Sequence, residues 1–187
     1  MKIGVLAVQG AFIEHEHIIE KIGHEVVEIR QRKDLDGIDG IILPGGESTV
    51  QGQLLRKLDM LATIKSLIAD GLPTLATCAG LILLAGHIDN DDSVHIGTLP
   101  VTVKRNAYGR QLGSFVRTAP MKGFDEFPMI FIRAPYISSI KDNVDVLAAV
   151  NDRIVAVQYN NQIGLAFHPE PVSYTHLRAH ETLRHLV

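Results

Sequence analysis

The chain holds a single cysteine, Cys78, in the run Ala76-Thr77-Cys78-Ala79-Gly80, between an apolar strand-like segment and an apolar helix-like one. A nucleophile on a sharp strand-to-helix turn is lifted above the sheet edge. The tight backbone there demands small neighbours, which Ala76, Ala79 and Gly80 supply. A helix N-terminus behind the sulfur favours a thiolate, and the Ala79 N–H would point toward a developing oxyanion. The same five residues also fit a buried core cysteine, since free cysteine is among the most buried residue types.

A second cluster is Phe167-His168-Pro169-Glu170. A residue before proline is held extended, and in an extended segment positions two apart point to one side. His168 and Glu170 therefore lie side by side, so that the histidine can take a thiol proton while the glutamate fixes its tautomer and orientation. A surface turn carrying a chance His and Glu is the competing reading. A third run, Pro44-Gly45-Gly46-Glu47-Ser48, joins an apolar strand to a helix. Two glycines let a backbone approach a ligand closely and offer its N–H groups to a carboxylate or carbonyl oxygen. A phosphate loop would need a following Gly-Lys-Ser/Thr, which is absent. A plain turn with Ser48 as helix cap also fits.

The elements that must position these residues follow from the apolar pattern. Residues 3–8, 25–29, 40–43 and 74–77 read as buried strands. Phe12, His15, Ile18, Ile19 and Ile22 recur at helical spacing and Gly23 closes that helix. Residues 54–68 suggest a helix broken near Asp59 and stopped by Gly71, and residues 80–85 suggest a helix start. Strand alternating with helix predicts a three-layer α/β fold with a mostly parallel central sheet flanked by helices. From His95 onward the rhythm changes. Residues 98–103, 129–133, 144–150, 154–158 and 162–167 are strand-like and are expected to extend the same sheet, some antiparallel. Asn151-Asp152 and Asn160-Asn161 mark tight turns.

Length and composition narrow the function class. At 187 residues, 46% hydrophobic and 21% charged, the chain suits one globular domain with a full-sized core. A net charge of -3 and no basic run argue against nucleic-acid binding. One thiol cannot close an internal disulfide, which suits a reducing cytoplasm. The N-terminal apolar run is too short for a signal segment, and residues 72–86, broken by Pro73 and Gly80, fall short of a membrane span.

Together these motifs resemble the class I (triad-type) glutamine amidotransferases, and within them the branch of glutaminase subunits that serve pyridoxal 5'-phosphate synthase. The resemblance runs in order from residue 2 to residue 170. It rests on Val8-Gln9-Gly10-Ala11, Leu43-Pro44-Gly45-Gly46-Glu47-Ser48-Thr49, Thr77-Cys78-Ala79-Gly80-Leu81-Ile82-Leu83-Leu84-Ala85, Arg105-Asn106-Ala107-Tyr108-Gly109-Arg110-Gln111, Phe131-Ile132-Arg133-Ala134-Pro135 and Phe167-His168-Pro169-Glu170. It implies that Cys78 forms a glutamyl thioester, His168 is general base and later acid, and Glu170 orients it. It further implies that Gly46, Glu47 and Ser48 bind L-glutamine and that the N–H groups of Gly46 and Ala79 are oxyanion donors. Arg105 and the Ile132-Arg133 pair match the remaining substrate positions; without the family, each arginine would read as a surface or sheet-edge ion pair.

The resemblance implies no metal and no cofactor. Its implied partner is a synthase (lyase) subunit that receives the ammonia and builds pyridoxal 5'-phosphate from ribose 5-phosphate and glyceraldehyde 3-phosphate, and docking is what raises the glutaminase to full activity. Two alternatives stand beside this reading: a non-catalytic regulatory subunit of the same complex, and a glutaminase subunit for another biosynthetic amidotransferase.

Two departures from the family pattern stand out. Ala76 occupies a place where glycine is usual. After Glu170 the family continues with Leu-Thr, an acidic stretch and a closing amphipathic helix, whereas this chain reads Pro171-Val172-Ser173-Tyr174-Thr175-His176-Leu177-Arg178 and on to Val187. Residues 1–170 are thus expected to form one amidotransferase domain, with 171–187 an atypical tail of the kind a frame error or cloning junction leaves. His176, His180 and His185 are not expected to bind metal, because no cysteine or carboxylate completes a set.

Overall fold

Alternating strands and helices build the first half of the chain, as the apolar spacing requires. The computed structural model describes residues 1–105 and 114–170. Strand β1 (Lys2–Leu6) leads into helix α1 (Phe12–Lys21), then β2 (Glu25–Ile29), a 3-10 turn at Arg32–Leu35, β3 (Gly40–Leu43), α2 (Ser48–Lys57), α3 (Leu61–Ala69), β4 (Thr74–Thr77) and the short α4 (Ala79–Leu84). Strands follow: β5 (Ala85–Ile88), β6 (Leu99–Lys104), β7 (Ser114–Met121), β8 (Phe124–Ile132), β9 (Tyr136–Ile140), β10 (Asp145–Val150), β11 (Arg153–Tyr159) and β12 (Gln162–Leu165).

Ten of these strands form one sheet in the order β2-β1-β3-β4-β12-β11-β9-β6-β5, with β10 paired to β11. The run β2-β1-β3-β4-β12 is parallel throughout, and β11 pairs antiparallel with β12, β9 and β10. The period of two along each strand sorts the core into two layers. Ile3, Val5 and Ile42 face one way and pack with Ile19 and Phe12 of α1. Leu6, Ile41 and Leu43 face the other way, against Leu55 of α2 and Ile64 and Ile68 of α3. All four residues of β3 are buried, as a parallel strand covered by helices on both faces demands.

The structure departs from the sequence reading in three places. The segment expected as a strand at 129–133 is the outer part of β8, and it does not extend the main sheet. It pairs with β7 in a separate two-stranded ribbon, because its inward residues Phe127 and Phe131 pack on Phe167 and its partner Phe115 stacks on Phe131 at 4.6 Å. The helix expected across 54–68 is broken near Asp59 as expected, where that residue takes a positive φ of 54°, but its first part begins earlier, at Ser48. The cap of α2 is Glu47, whose side chain accepts from the Thr49 N–H at 3.4 Å, so Ser48 is the first helical residue and not the cap. The turns expected at Asn151-Asp152 and Asn160 are present, each residue at positive φ. Most of the Arg105–Gln111 motif (106–111), the tail 171–187 and its three histidines lie outside the described residues. Among the described residues, no helix is long and apolar enough to cross a membrane.

Candidate active site

Neighbouring parallel strands deliver the chemistry-bearing residues to one sheet edge. β1, β3, β4 and β12 lie side by side, and their carboxyl ends lead to Gly10, Gly45, Cys78 and His168 respectively. The strand order reverses between β1 and β3, since β1 is followed by β2 on one side and flanked by β3 on the other. Such a switch point leaves a crevice outside the strand ends. The loops from these two strands meet there: the Ala11 N–H donates to the Gly45 carbonyl at 3.0 Å. Gly10 has φ 108°, and a Cβ on it would lie 2.0 Å from the Gly45 oxygen, so only glycine permits this approach.

Cys78 occupies a strained turn. Its φ of 49° and ψ of -101° are unusual for a non-glycine residue and cost about 1–3 kcal/mol. The surrounding structure holds it: its N–H donates to the Leu165 carbonyl of β12 at 2.8 Å. Gly80, two residues on, packs so tightly that an added Cβ would lie 2.0 Å from the Leu43 oxygen. The sulfur is mostly buried and its thiol lies 3.9 Å from the Ile132 carbonyl, at the end of β8.

The His168 ring lies between the sulfur and the Glu170 carboxylate. Its Nδ1 is 2.6 Å from Glu170 Oε1, and Cys78 is near enough to the ring to help raise its pKa. Its backbone N–H donates to Ile130 O at 2.8 Å, which ties the β7–β8 ribbon to the histidine segment. Burial works against charge on this ring. The hydrogen bonds and electrostatic attraction that Cys78 and Glu170 offer the charged ring outweigh it and raise the pKa to about 10. The ring thus keeps its proton through neutral pH. Burial likewise tends to raise the Glu170 carboxyl, yet the His168 hydrogen bond and the neighbouring His15 and His168 rings hold it below its ordinary value. A thiol, an imidazole and a carboxylate in this order are groups that nucleophilic acyl transfer can use.

A cleft of about 390 Å³ opens over the sulfur. Of the residues singled out from the sequence, Gly46, Glu47, Ser48, Cys78, Ala79, Arg105, Ile132, Arg133 and His168 all line it. Glu170 does not; it lies buried behind His168, at 3% exposure. Arg105 is anchored to Asp91 at 2.8 Å, while its Nε and Nη2 are buried with no hydrogen bond among the described residues. Arg133 takes a positive φ of 45°, at the corner where the chain leaves the ribbon.

The sequence reading missed the support of the glycine loop. Gln9 Oε1 accepts from the Glu47 N–H at 2.9 Å, and the buried Gln51 amide donates to the carbonyls of Gln9 and Pro44 at 2.9 and 3.3 Å. Glutamines on two separate segments carry no local signal of such pairing. Gly45 is also closer to the chemistry than its neighbours suggested, since its Cα faces the His168 ring.

Comparison with known proteins accords with this geometry. The sequence profile of the SNO glutamine amidotransferase family matches residues 5–183. The chain is 58% identical over 171 residues to pyridoxal 5'-phosphate synthase subunit PdxT of Desulfitobacterium hafniense (strain DSM 10664 / DCB-2), covering 91% of this chain and 86% of that protein. It is 53% identical over 174 residues to the same subunit of Haemophilus influenzae (strain PittEE), covering 91% of each. A crystal structure of a glutamine amidotransferase superposes with a TM-score of 0.89 at 36% identity, covering 95% of both chains. The structure of PurLQS from Thermotoga maritima, at 20% identity and a TM-score of 0.64 over 90% of this chain and 87% of that one, shares the fold. The chain belongs to the SNO glutamine amidotransferase family.

Proposed function

We propose that this chain hydrolyses L-glutamine to glutamate and ammonia and passes the ammonia to the synthase subunit of pyridoxal 5'-phosphate synthase. What supports the reading is the placement of the His168 ring between the Cys78 sulfur and the Glu170 carboxylate, beneath a cleft lined by the glycine loop, together with the PdxT relatives. In this reading the Cys78 sulfur attacks the side-chain amide carbon, and the negative oxygen that forms is met by the N–H groups of Gly46 and Ala79. Protonated His168 donates to the leaving nitrogen, the C–N bond breaks, and ammonia departs from a glutamyl thioester. His168, now neutral, takes a proton from water; the resulting hydroxide displaces the sulfur, and glutamate leaves with the ring reprotonated. Glu170 orients the ring throughout.

Glu47, Ser48, Arg105, Ile132 and Arg133 form the walls that would hold the amino-acid end of glutamine, with Arg105 and Arg133 able to meet its carboxylate. Neither a metal nor a cofactor enters these steps. The lone thiol, Cys78, has to stay reduced to act, which fits work in the cytoplasm.

The test is glutamate release by the full chain, alone and with the synthase. Release is expected to rise strongly when the partner is added, and to fall by several orders of magnitude in Cys78→Ala because the covalent route is lost. Wild-type turnover in Cys78→Ala would overturn the nucleophile assignment. Absence of release by the unaltered chain even with the synthase would leave a non-catalytic subunit.

A further inference from the structure

A second imidazole lies behind the Glu170 carboxylate. His15 projects from the buried face of α1 and is 3% exposed. Its Nε2 is 3.7 Å from Glu170 Oε2 and 3.4 Å from Thr77 Oγ1. Thr77 is the residue immediately before Cys78. Glu170 Oε1 is engaged by His168, but Oε2 is fully buried and receives no hydrogen bond among the described residues. A buried carboxylate oxygen without a donor is strongly disfavoured, so the group beside it decides how that carboxylate is held.

Resting on the triad reading above, we propose that His15 is a positioning residue for the reaction: as a neutral ring carrying its proton on Nε2, it hydrogen-bonds with Thr77 at 3.4 Å and turns the same polar N–H edge toward Glu170 Oε2 at 3.7 Å, and so holds the carboxylate that orients His168. The tautomer follows from electrostatics. An Nε2 lone pair facing a carboxylate oxygen would be repelled, whereas an Nε2–H is attracted to it, with Thr77 Oγ1 as a second acceptor. Neutrality follows from the surroundings. Burial lowers the His15 pKa; Glu170 pulls the other way, the His168 charge lowers it further, and Glu14 on the same helix opposes more weakly. A charged His15 would also place a second cation beside a carboxylate that has one already.

The consequence is a closed circuit. Cys78 contacts His168, His168 contacts Glu170, Glu170 faces His15, and His15 reaches Thr77, which is bonded to Cys78. Three separate pieces of chain (α1, the β4 turn and the β12 exit) are thereby locked in one register. Rotation of the Glu170 carboxylate, which would release the His168 ring, requires that this circuit open.

The experiment compares His15→Gln with His15→Asn in the full chain, assayed with the synthase across pH. The Gln amide nitrogen reaches about as far along the side chain as Nε2 does, and it donates without titrating; the Asn amide falls one bond short. His15→Asn is expected to lower kcat by about 10- to 100-fold, the worth of a hydrogen bond to a charged group. The KM for glutamine should stay near wild type, and the acid limb of kcat should move to higher pH as Glu170 loses the polar N–H edge that faces Oε2. His15→Gln should recover at least about tenfold of that loss and restore the acid limb. Equal activity of the two variants, or an acid limb that does not move in His15→Asn, overturns the inference and leaves His15 a packing residue. Cys78→Ala, run in parallel, separates the two claims. If it is inactive while His15→Asn matches wild type, only the role of His15 falls; if it is active, the triad itself falls.

Discussion

The contact between Gly45 and the His168 ring yields a sharp prediction. A Cβ built on Gly45 would lie 2.2 Å from His168 Cε1 and 3.1 Å from each ring nitrogen. Equal distances to the two nitrogens mean that the methyl group of Gly45→Ala would arrive head-on along the Cε1–H direction. Ordinary contact begins at 3.4 Å, so ring and loop must part by about 1.2 Å. The loop has little freedom to yield: Gly45 O accepts from Ala11, and the adjacent Pro44 carbonyl is held by Gln51. The ring must therefore slide toward its far side, lengthening its bonds to the thiol and to Glu170 together. A misplacement of about 1 Å at a reacting group costs about 100-fold in rate, or about 3 kcal/mol of barrier. Coupled measurement of glutamate release at saturating synthase should thus show kcat down by about 100-fold in Gly45→Ala with the thermal melt still cooperative. Gly40→Ala is the control. It lies at the start of β3, the strand that leads to Gly45, where the nearest atom to a new Cβ is 3.4 Å away, and it should retain activity. A Gly45→Ala enzyme within twofold or so of wild type would refute the claim that ring position limits the reaction.

Other outcomes follow from the same geometry. The folded pKa of His168 is raised from 6.5 to about 10, so its contribution to stability is complete below 6.5 and is lost as pH rises through 10. The urea midpoint should fall across that window, and less steeply in Cys78→Ala, which removes one of the bonds that raise the pKa. Glu170 acts in the opposite sense. Its pKa is lowered from 4.5, so its contribution is present above that value and is lost as pH falls through the folded one; Glu170→Gln should flatten the acid side of the urea profile. Ala76→Gly restores the residue usual in the family at a fully buried strand position, and should lower stability by about 1–2 kcal/mol through lost burial and added chain entropy, with kcat/KM unchanged. Asp91→Asn removes the ion pair that anchors Arg105, and should raise the KM for glutamine by about two- to fivefold while leaving kcat in place.

How far the sequence revealed the molecule depended on where each element finds its partner. Strands β2, β3 and β4 have the bounds expected from their apolar runs; β3, buried on both faces, is apolar along its whole length, whereas the edge strand β2 keeps Glu25 and Glu28 exposed around its apolar residues. β5, β7 and β9 were not foreseen. β5 begins at Ala85, where the apolar run of α4 gives no sign that the helix stops after six residues. β7 contains Arg117 and Pro120, and β9 contains two serines. Each is a strand because of what lies across from it, β8 for one and β6 for the other, and pairing between distant segments leaves little local trace. The site was more legible than the sheet. His168 and Glu170 are brought together by two residues of extended chain, a local rule. The contributions of Gln9, Gln51 and His15 are tertiary, so nothing in their neighbourhoods announced them.

The site's tolerance for change should vary with its mode of support. Cys78 and the glycine loop are fixed by backbone: Cys78 N–H on β12, and Gly10, Gly45 and Gly80 at approaches where a methyl group has no room. His168 and Glu170 are fixed by side-chain partners and by one bond from the ribbon, Ile130 O to His168 N. The ribbon belongs to a separate sheet and also provides Ile132, whose carbonyl faces the Cys78 thiol, and it leads directly into Arg133. A displacement of the ribbon therefore moves the histidine, the carbonyl beside the sulfur and one wall of the cleft at once. The parallel strands beneath, braced by buried apolar residues on both faces, would stay where they are. Changes that loosen the ribbon, such as Phe131→Ala with the loss of its packing on Phe115 and Phe167, should lower kcat and raise KM together, whereas truncations in the α2–α3 layer should appear first as lost stability.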